Sequence, residues 1–180
     1  HWFEDRSAEL DGVIAKRTDA PYSSGARAML KVKRIRSADC VVGGFRYGTN
    51  SDEVGSLLLG LFNEAGKLDH VGFTSALTAA EKPELTRKLE ALRGGPGFTG
   101  KSPGGPSRWS TERSAEWVPL QLELVVEVLY DQITADRFRH GTRLHRWRPD
   151  KAPEQCTVAQ LAEPADPDAV IRKVLAIGVP

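Results

Sequence analysis

Cys40-Val-Val-Gly-Gly-Phe-Arg-Tyr47, Ser56-Leu-Leu-Leu-Gly-Leu-Phe62 and His70-Val-Gly-Phe-Thr74 are short apolar runs separated by Gly, Asn and Asp. That pattern predicts a meander of curved strands, with glycines where the strands must bend. Downstream, Thr78-Ala-Ala-Glu81 reads as a capping box opening a helix whose Leu85, Leu89 and Leu92 share one face. Pro83 falls within the tolerated first turn, and Gly94 ends the helix. A Gly/Pro/Ser-rich stretch then predicts a flexible surface loop at about residues 94–108. Between Val118 and Tyr130, apolar residues alternate with Gln121, Glu123 and Glu127, which predicts one half-buried strand. Asp131-Gln132 turns it into a basic strand from Phe138 to Trp147, and Asp168–Ala176 reads as a short C-terminal helix. The expected class is therefore mainly β with short helices. Strands, a helix inserted after the third, then further strands fit a five-stranded Greek-key barrel of the OB type.

Upstream of the meander, Val13–Lys16 and Met29–Arg34 read as two further strands joined by the turn-rich Asp19–Gly25, with Ser37-Ala-Asp39 as a hinge. This divides the chain into a small unit, 1–36, and a barrel unit, 37–180.

With 180 residues and 19.7 kDa the chain can bury one good core. A net charge of +1 gives no overall bias toward nucleic acid, but the distribution does. Basic residues crowd into Lys31–Arg36 and Arg137–Lys151, while acids gather in Glu81–Glu90 and Glu154–Asp168. A local stripe of positive charge is enough to grip a phosphate backbone, although a solvated face has the same composition. No apolar run approaches the roughly 18 residues that span a bilayer, and no signal peptide opens the chain, so a cytoplasmic location is expected. Cys40 and Cys156 are too few for a disulfide framework, which suits reduced thiols. His140, His145 and Cys156 lack metal-ligand spacing.

The chemistry-bearing segment is Asp11-Gly-Val-Ile-Ala-Lys16, followed by Lys31-Val-Lys33-Arg34. Lys31 and Lys33 lie two residues apart, so a strand sends both to one face. Two ammonium groups on one face repel unless an anion lies between them, and a polyphosphate supplies that anion. Each fragment also has an ordinary structural reading, D-G as a turn and K-x-K as a solvated edge strand.

The longer string, Asp11–Arg17 through Ala20-Pro-Tyr-Ser-Ser-Gly25 and Arg27 to Met29–Arg34, resembles motifs IV and V of the ATP-dependent DNA ligases. These belong to the wider family of lysine-adenylating nucleotidyltransferases. Arg137-Phe-Arg-His-Gly-Thr-Arg-Leu-His-Arg-Trp-Arg148-Pro-Asp-Lys151 resembles motif VI, most closely that of the small bacterial enzymes. Three matches in the right order cover essentially the whole chain. The resemblance implies the last strands of a nucleotidyltransferase (ATP-grasp-like) domain followed by an OB-fold domain, which contact nicked double-stranded DNA, ATP, and Mg²⁺ or Mn²⁺. By the same resemblance Asp11 takes the place of the metal-holding carboxylate, and Lys31 and Lys33 contact the α-phosphate. Lys16 and Arg27 are further nucleotide contacts. Arg148, Asp150 and Lys151 orient the β,γ-phosphates, and Arg137, Arg139, Arg143 and Arg146 face DNA. A monomer associated with the bacterial nucleoid is the corresponding expectation.

One departure is large. The family's K-x-D-G string, whose lysine becomes lysyl-AMP, does not occur, and neither do motifs III and IIIa. Lys16 follows its D-G pair instead of preceding it and matches a different motif. The expectation is the C-terminal portion of a longer ligase, unable alone to self-adenylate, consistent with a chain that opens on His1. The alternatives are a stand-alone OB module that binds DNA without catalysis, and an RNA-capping guanylyltransferase, which shares motifs IV to VI.

Overall fold

The computed structural model describes residues 12–26, 28–104 and 116–161, and these fall into two compact units divided between Ile35 and Arg36. The first contributes an antiparallel ribbon of β1 (Gly12–Lys16) and β2 (Met29–Lys33). Its register pairs Gly12 with Lys33, Ile14 with Lys31 and Lys16 with Met29. Lys16, Lys31 and Lys33 therefore share one face, and Val13, Ala15, Leu30 and Val32 share the other. Gly12 has φ +155°, and a Cβ there would lie 2.2 Å from the Val32 carbonyl oxygen. Close approach of β2 thus demands the glycine of the D-G pair.

The second unit, Arg36–Ala162, is a barrel. Its elements are β3 (Arg36–Tyr47), β4 (Val54–Phe62), β5 (Leu68–Thr74), α1 (Lys82–Ala91), β6 (Val118–Pro119), β7 (Val125–Tyr130), β8 (Ile133–Thr134), β9 (Arg137–Phe138) and β10 (Arg143–Trp147). Antiparallel pairing runs β10-β7-β3-β4-β5, and β6 joins β3. The ends of that path meet where Thr142, just before β10, bridges Thr74 of β5 in parallel sense. The Thr142 N–H donates to the Phe73 carbonyl at 3.0 Å, and the Thr74 hydroxyl donates to the Thr142 carbonyl at 3.0 Å. Closure by a parallel contact between the third and fifth barrel strands, with α1 after the third, is the OB arrangement.

Phe45, Leu57, Leu59, Leu61, Val126 and Val128 are fully buried in the core. The glycines of the three quoted runs make room for neighbours: at Gly43 a Cβ would meet the Phe98 ring at 2.7 Å. Helix α1 packs Leu85 and Leu89 inward and is pinned to β4 by the Thr86 hydroxyl, which accepts the Val54 N–H at 2.9 Å. Cys40 and Cys156 are buried free thiols, and burial is the first cause raising the pKa of each, that of Cys156 to about 11. No helix among the described residues is long and apolar enough to cross a membrane.

Several expectations are corrected. Ser37–Asp39 is not a hinge but part of the twelve-residue β3, paired with β7 from Arg36 to Val41. The stretch 118–130 is two strands, because Pro119 ends β6 and the chain then leaves the sheet, where the Gln121 N–H donates to the Leu92 carbonyl at 2.8 Å. The basic segment is likewise split. Ala135 and Asp136 both have positive φ, 49° and 60°, and form the tight turn of the β8–β9 hairpin before β10 begins. The capping box is half made: the Glu81 carboxylate accepts the Thr78 N–H at 3.2 Å, yet the helix starts only at Lys82, with no side-chain cap. Residues 94–101 of the expected loop are stitched to the barrel. Phe98 is buried, the Gly100 N–H donates to the Leu68 carbonyl at 3.0 Å, and the Lys101 N–H donates to Asp69 at 2.7 Å. The C-terminal helix expected at 168–176 lies outside the described residues.

Candidate functional site

The outer surface of the barrel over β3, β7 and β10 carries the site. Ladder pairing sets Asp39 directly beside Glu127, and two carboxylates so placed repel unless cations intervene. Strand β10 supplies them through an irregularity. A regular strand would send Arg143 and Arg146 to opposite faces, since they lie three residues apart. The register shifts between Leu144 and Arg146, so Arg143 pairs with Leu129 and Arg146 with Glu127. The bulge at His145 thus turns both arginines outward, while Leu144 and Trp147 pair with the buried Val128 and Val126. Trp147 packs against the core, with the Lys88 ammonium 5.0 Å from its ring centroid.

Arg148 follows the strand, its N–H held by the Val125 carbonyl at 2.9 Å. Its Nη1 donates to both oxygens of Asp39, at 2.9 and 3.0 Å, and its Nε and Nη2 donate to Asp150 at 3.0 and 2.8 Å. Lys151, one turn on, donates from Nζ to Asp39 Oδ2 at 2.7 Å. Arg146 Nε donates to Glu127 at 2.7 Å. The side chains of Asp39, Arg148 and Lys151 are only 13%, 18% and 23% exposed, so this network is sheltered from water, unlike an ordinary surface ion pair. The Arg148 hydrogen bonds are the main cause holding the Asp150 carboxyl down at about 2, and Asp150 in turn raises Arg148. Arg146 lowers Glu127 in the same way.

Nothing local in the sequence marks Asp39 as a partner of motif VI, because Arg148 and Lys151 lie 109 and 112 residues away; only the pairing of β3 with β7 brings it to them. Gln160 was missed for the same reason. Its Oε1 accepts the Asp39 N–H at 2.8 Å and its Nε2 donates to the Asp39 carbonyl at 2.9 Å.

The remaining expected site residues divide among three places. Arg148, Asp150 and Lys151 come together as described. Arg137, Arg139, Arg143 and Arg146 are all exposed on the barrel, but not as one uniform stripe. Arg139 donates to Gln132 at 2.7 Å, and Arg137 Nη2 lies 3.1 Å from His70 Nδ1. A guanidinium only donates, so His70 accepts at Nδ1 and is neutral. Burial first, then the charges of Arg137 and Arg46, push its pKa down to about 3. Lys16, Lys31 and Lys33 lie on the cationic face of the ribbon in the other unit. Asp11 and Arg27 lie outside the described residues. Among the described residues no group of three or more His, Cys, Asp or Glu side chains is placed to hold a metal ion.

An OB barrel with a sheltered Arg-Asp-Lys cluster on its outer face, preceded by a lysine-bearing ribbon, has the architecture of a nucleotidyltransferase tail. Comparison with known proteins agrees. Residues 50–151 match the family described as the ATP dependent DNA ligase C terminal region. The chain is 45% identical over 166 residues to DNA ligase C1 of Mycolicibacterium smegmatis, covering 89% of this chain and 47% of that protein. It is 41% identical over 177 residues to DNA ligase C of Mycobacterium tuberculosis, covering 91% of this chain and 49% of that protein. Among solved structures, the ligase domain of M. tuberculosis LigD superimposes with a TM-score of 0.59 at 31% identity, over 82% of this chain and 47% of that one. A mycobacterial DNA ligase D complexed with ATP and MES gives a TM-score of 0.53 at 28% identity, over 80% of this chain and 45% of that one. The chain belongs to the ATP-dependent DNA ligase family and corresponds to its C-terminal region. It spans about half the length of the curated relatives it matches.

Proposed function

We propose that this chain supplies the C-terminal half of an enzyme that seals nicks in double-stranded DNA. The reaction runs through lysyl-AMP and a DNA-adenylate and serves repair or recombination in the bacterial cytoplasm. The observation that carries this reading is the gathering of Arg148 and Lys151 on one carboxylate at the barrel surface. All three steps of sealing are in-line displacements at phosphorus, so the protein's work is positioning and charge compensation. Arg148 and Lys151 hold the β,γ-phosphates of ATP in the first step. Lys31 and Lys33, with Lys16 beside them, hold the α-phosphate and stabilise charge building on its oxygens. Asp11 is the carboxylate offered to a divalent ion, and Arg27 is a further nucleotide contact. The exposed Arg137, Arg139, Arg143 and Arg146 track the phosphates of nicked DNA. That a related ligase is described as complexed with ATP supports the choice of nucleotide. The nucleophilic lysine of K-x-D-G is absent from these 180 residues, so this chain by itself does not self-adenylate and the assays need the full-length protein.

Arg148→Ala and Lys151→Ala are expected to slow formation of lysyl-AMP while leaving the sealing of a pre-adenylated nick largely intact. Single-turnover assays on the two substrates separate these steps, and equal loss in both would remove the assigned role. Binding of nicked DNA to the barrel is expected to weaken steeply with salt, because each phosphate contact releases counterions. Affinity that stays flat between low and moderate ionic strength would count against a phosphate-tracking surface.

A further inference from the structure

We propose that Asp39 is an internal stand-in for a phosphoryl oxygen: it holds Arg148 and Lys151 in a charge-balanced resting cluster and gives them up when a polyphosphate binds. The inference rests on reading those two cations as triphosphate ligands.

Asp39 Oδ2 lies 3.0 Å from Arg148 Nη1 and 2.7 Å from Lys151 Nζ, so one carboxylate oxygen sits between a guanidinium and an ammonium. That is the environment a phosphoryl oxygen needs. The cluster is also balanced: Arg146, Arg148 and Lys151 face Glu127, Asp39 and Asp150. Within these ion pairs three cations meet three carboxylates, so Arg148 and Lys151 carry no uncompensated charge with which to draw in an anion. A polyphosphate engages this group strongly only by exchange with a carboxylate.

Geometry selects Asp39 as the one exchanged. It alone takes both Arg148 and Lys151, whereas Asp150 takes only the Nε and Nη2 edge of Arg148. Asp39 cannot follow its partners outward. Its backbone is paired to Glu127 in the centre of the sheet, and its N–H and carbonyl are both held by the Gln160 amide. The cations are the mobile partners, each on a flexible stem. Asp39 is thus a positioning residue: it keeps the two side chains together and pre-arranged, and it competes with the phosphates for them.

The test is titration of the 180-residue chain with inorganic tripolyphosphate at low ionic strength, by calorimetry, for the parent, Asp39→Asn and Arg148→Ala. Asp39→Asn removes the competing charge and keeps the shape. It is expected to bind about tenfold more tightly or better, since the acceptor that holds both cations in the competing state has lost its negative charge and the bonds to it are weaker. A purely structural role predicts no gain. Equal or weaker binding by Asp39→Asn overturns the exchange, whereas Arg148→Ala binding as well as the parent overturns the reading of the cations themselves. Should the substitution unfold the barrel, the carboxylate carbon resonance of Asp39 in the parent decides. It is expected to shift as tripolyphosphate is added, and a resonance that stays fixed while the Arg148 Nε signal moves would sink the proposal.

Discussion

Lys33→Ala, introduced into a ligase that joins this chain to an adenylation segment bearing K-x-D-G, is expected on the proposed function to form lysyl-AMP about 10²–10³ times more slowly than the parent, the loss typical for one transition-state charge contact. The expectation comes from where the ribbon puts the residue. Lys33 pairs with Gly12 and shares its face with Lys31 and Lys16, while the apolar Val13, Ala15, Leu30 and Val32 take the other. Three ammonium groups on one side of two short strands form a cationic surface suited to polyphosphate oxygens. In-line transfer at phosphorus leaves the protein little else to contribute beyond such charges. The measurement is the rate of covalent labelling by α-labelled ATP, followed by the sealing rate on a nick. A change of less than a few-fold in both would show that the lysine is a solvated edge residue. Because the ribbon stays paired without that side chain, the loss is expected in rate while thermal stability stays near the parent value.

The second large effect is acid lability centred on His70. This residue is 5% exposed, and its folded pKa of about 3 lies well below the ordinary 6.5. Between those values the unfolded chain binds a proton that the folded chain refuses, so the stability present above pH 6.5 is lost as pH falls toward 3. The slope is about 1.4 kcal/mol per pH unit. From pH 6.5 to 4.5 this one group is therefore expected to remove about 2–3 kcal/mol. The window lies above the range in which carboxylates such as Glu127 and Asp150 take up protons, so their similar-signed contribution begins only at lower pH. Urea unfolding of the parent and of His70→Gln across this window checks the assignment. The substituted protein is expected to lose the slope, and parallel stability curves would show that His70 is not its source.

How much of this was legible in the chain depends on whether the signal was local. The glycine-punctuated runs at 40–47, 56–62 and 70–74 gave three barrel strands, because period and turn residues are local properties. Arg148, Asp150 and Lys151 stood out because they sit within four residues of one another. Asp39 did not, because its partners lie 109 and 112 residues away. Ala135 and Asp136 concealed a hairpin turn, since the positive φ that usually goes to glycine or asparagine is taken here by alanine and aspartate. Pro119 was the one visible warning that 118–130 is not a single strand, and the strong alternation around it masked the break. Neither His70 nor Gln160 is flanked by anything that marks it, and burial or long-range pairing alone gives each its part.

The extra residue at His145 has a consequence for how such chains can change over time. Arg143 and Arg146 face outward together only because the ladder slips by one position between them. Loss of a single codon at this point would restore a plain two-residue rhythm. Arg143, Leu144, Arg146 and Trp147 would then follow one another against four consecutive residues of β7, so both arginines would still face outward and both apolar side chains inward. Only the local bend and added twist of the bulge would go. Related chains that retain the surface charge can therefore differ here both in the identity of the extra residue and in its presence.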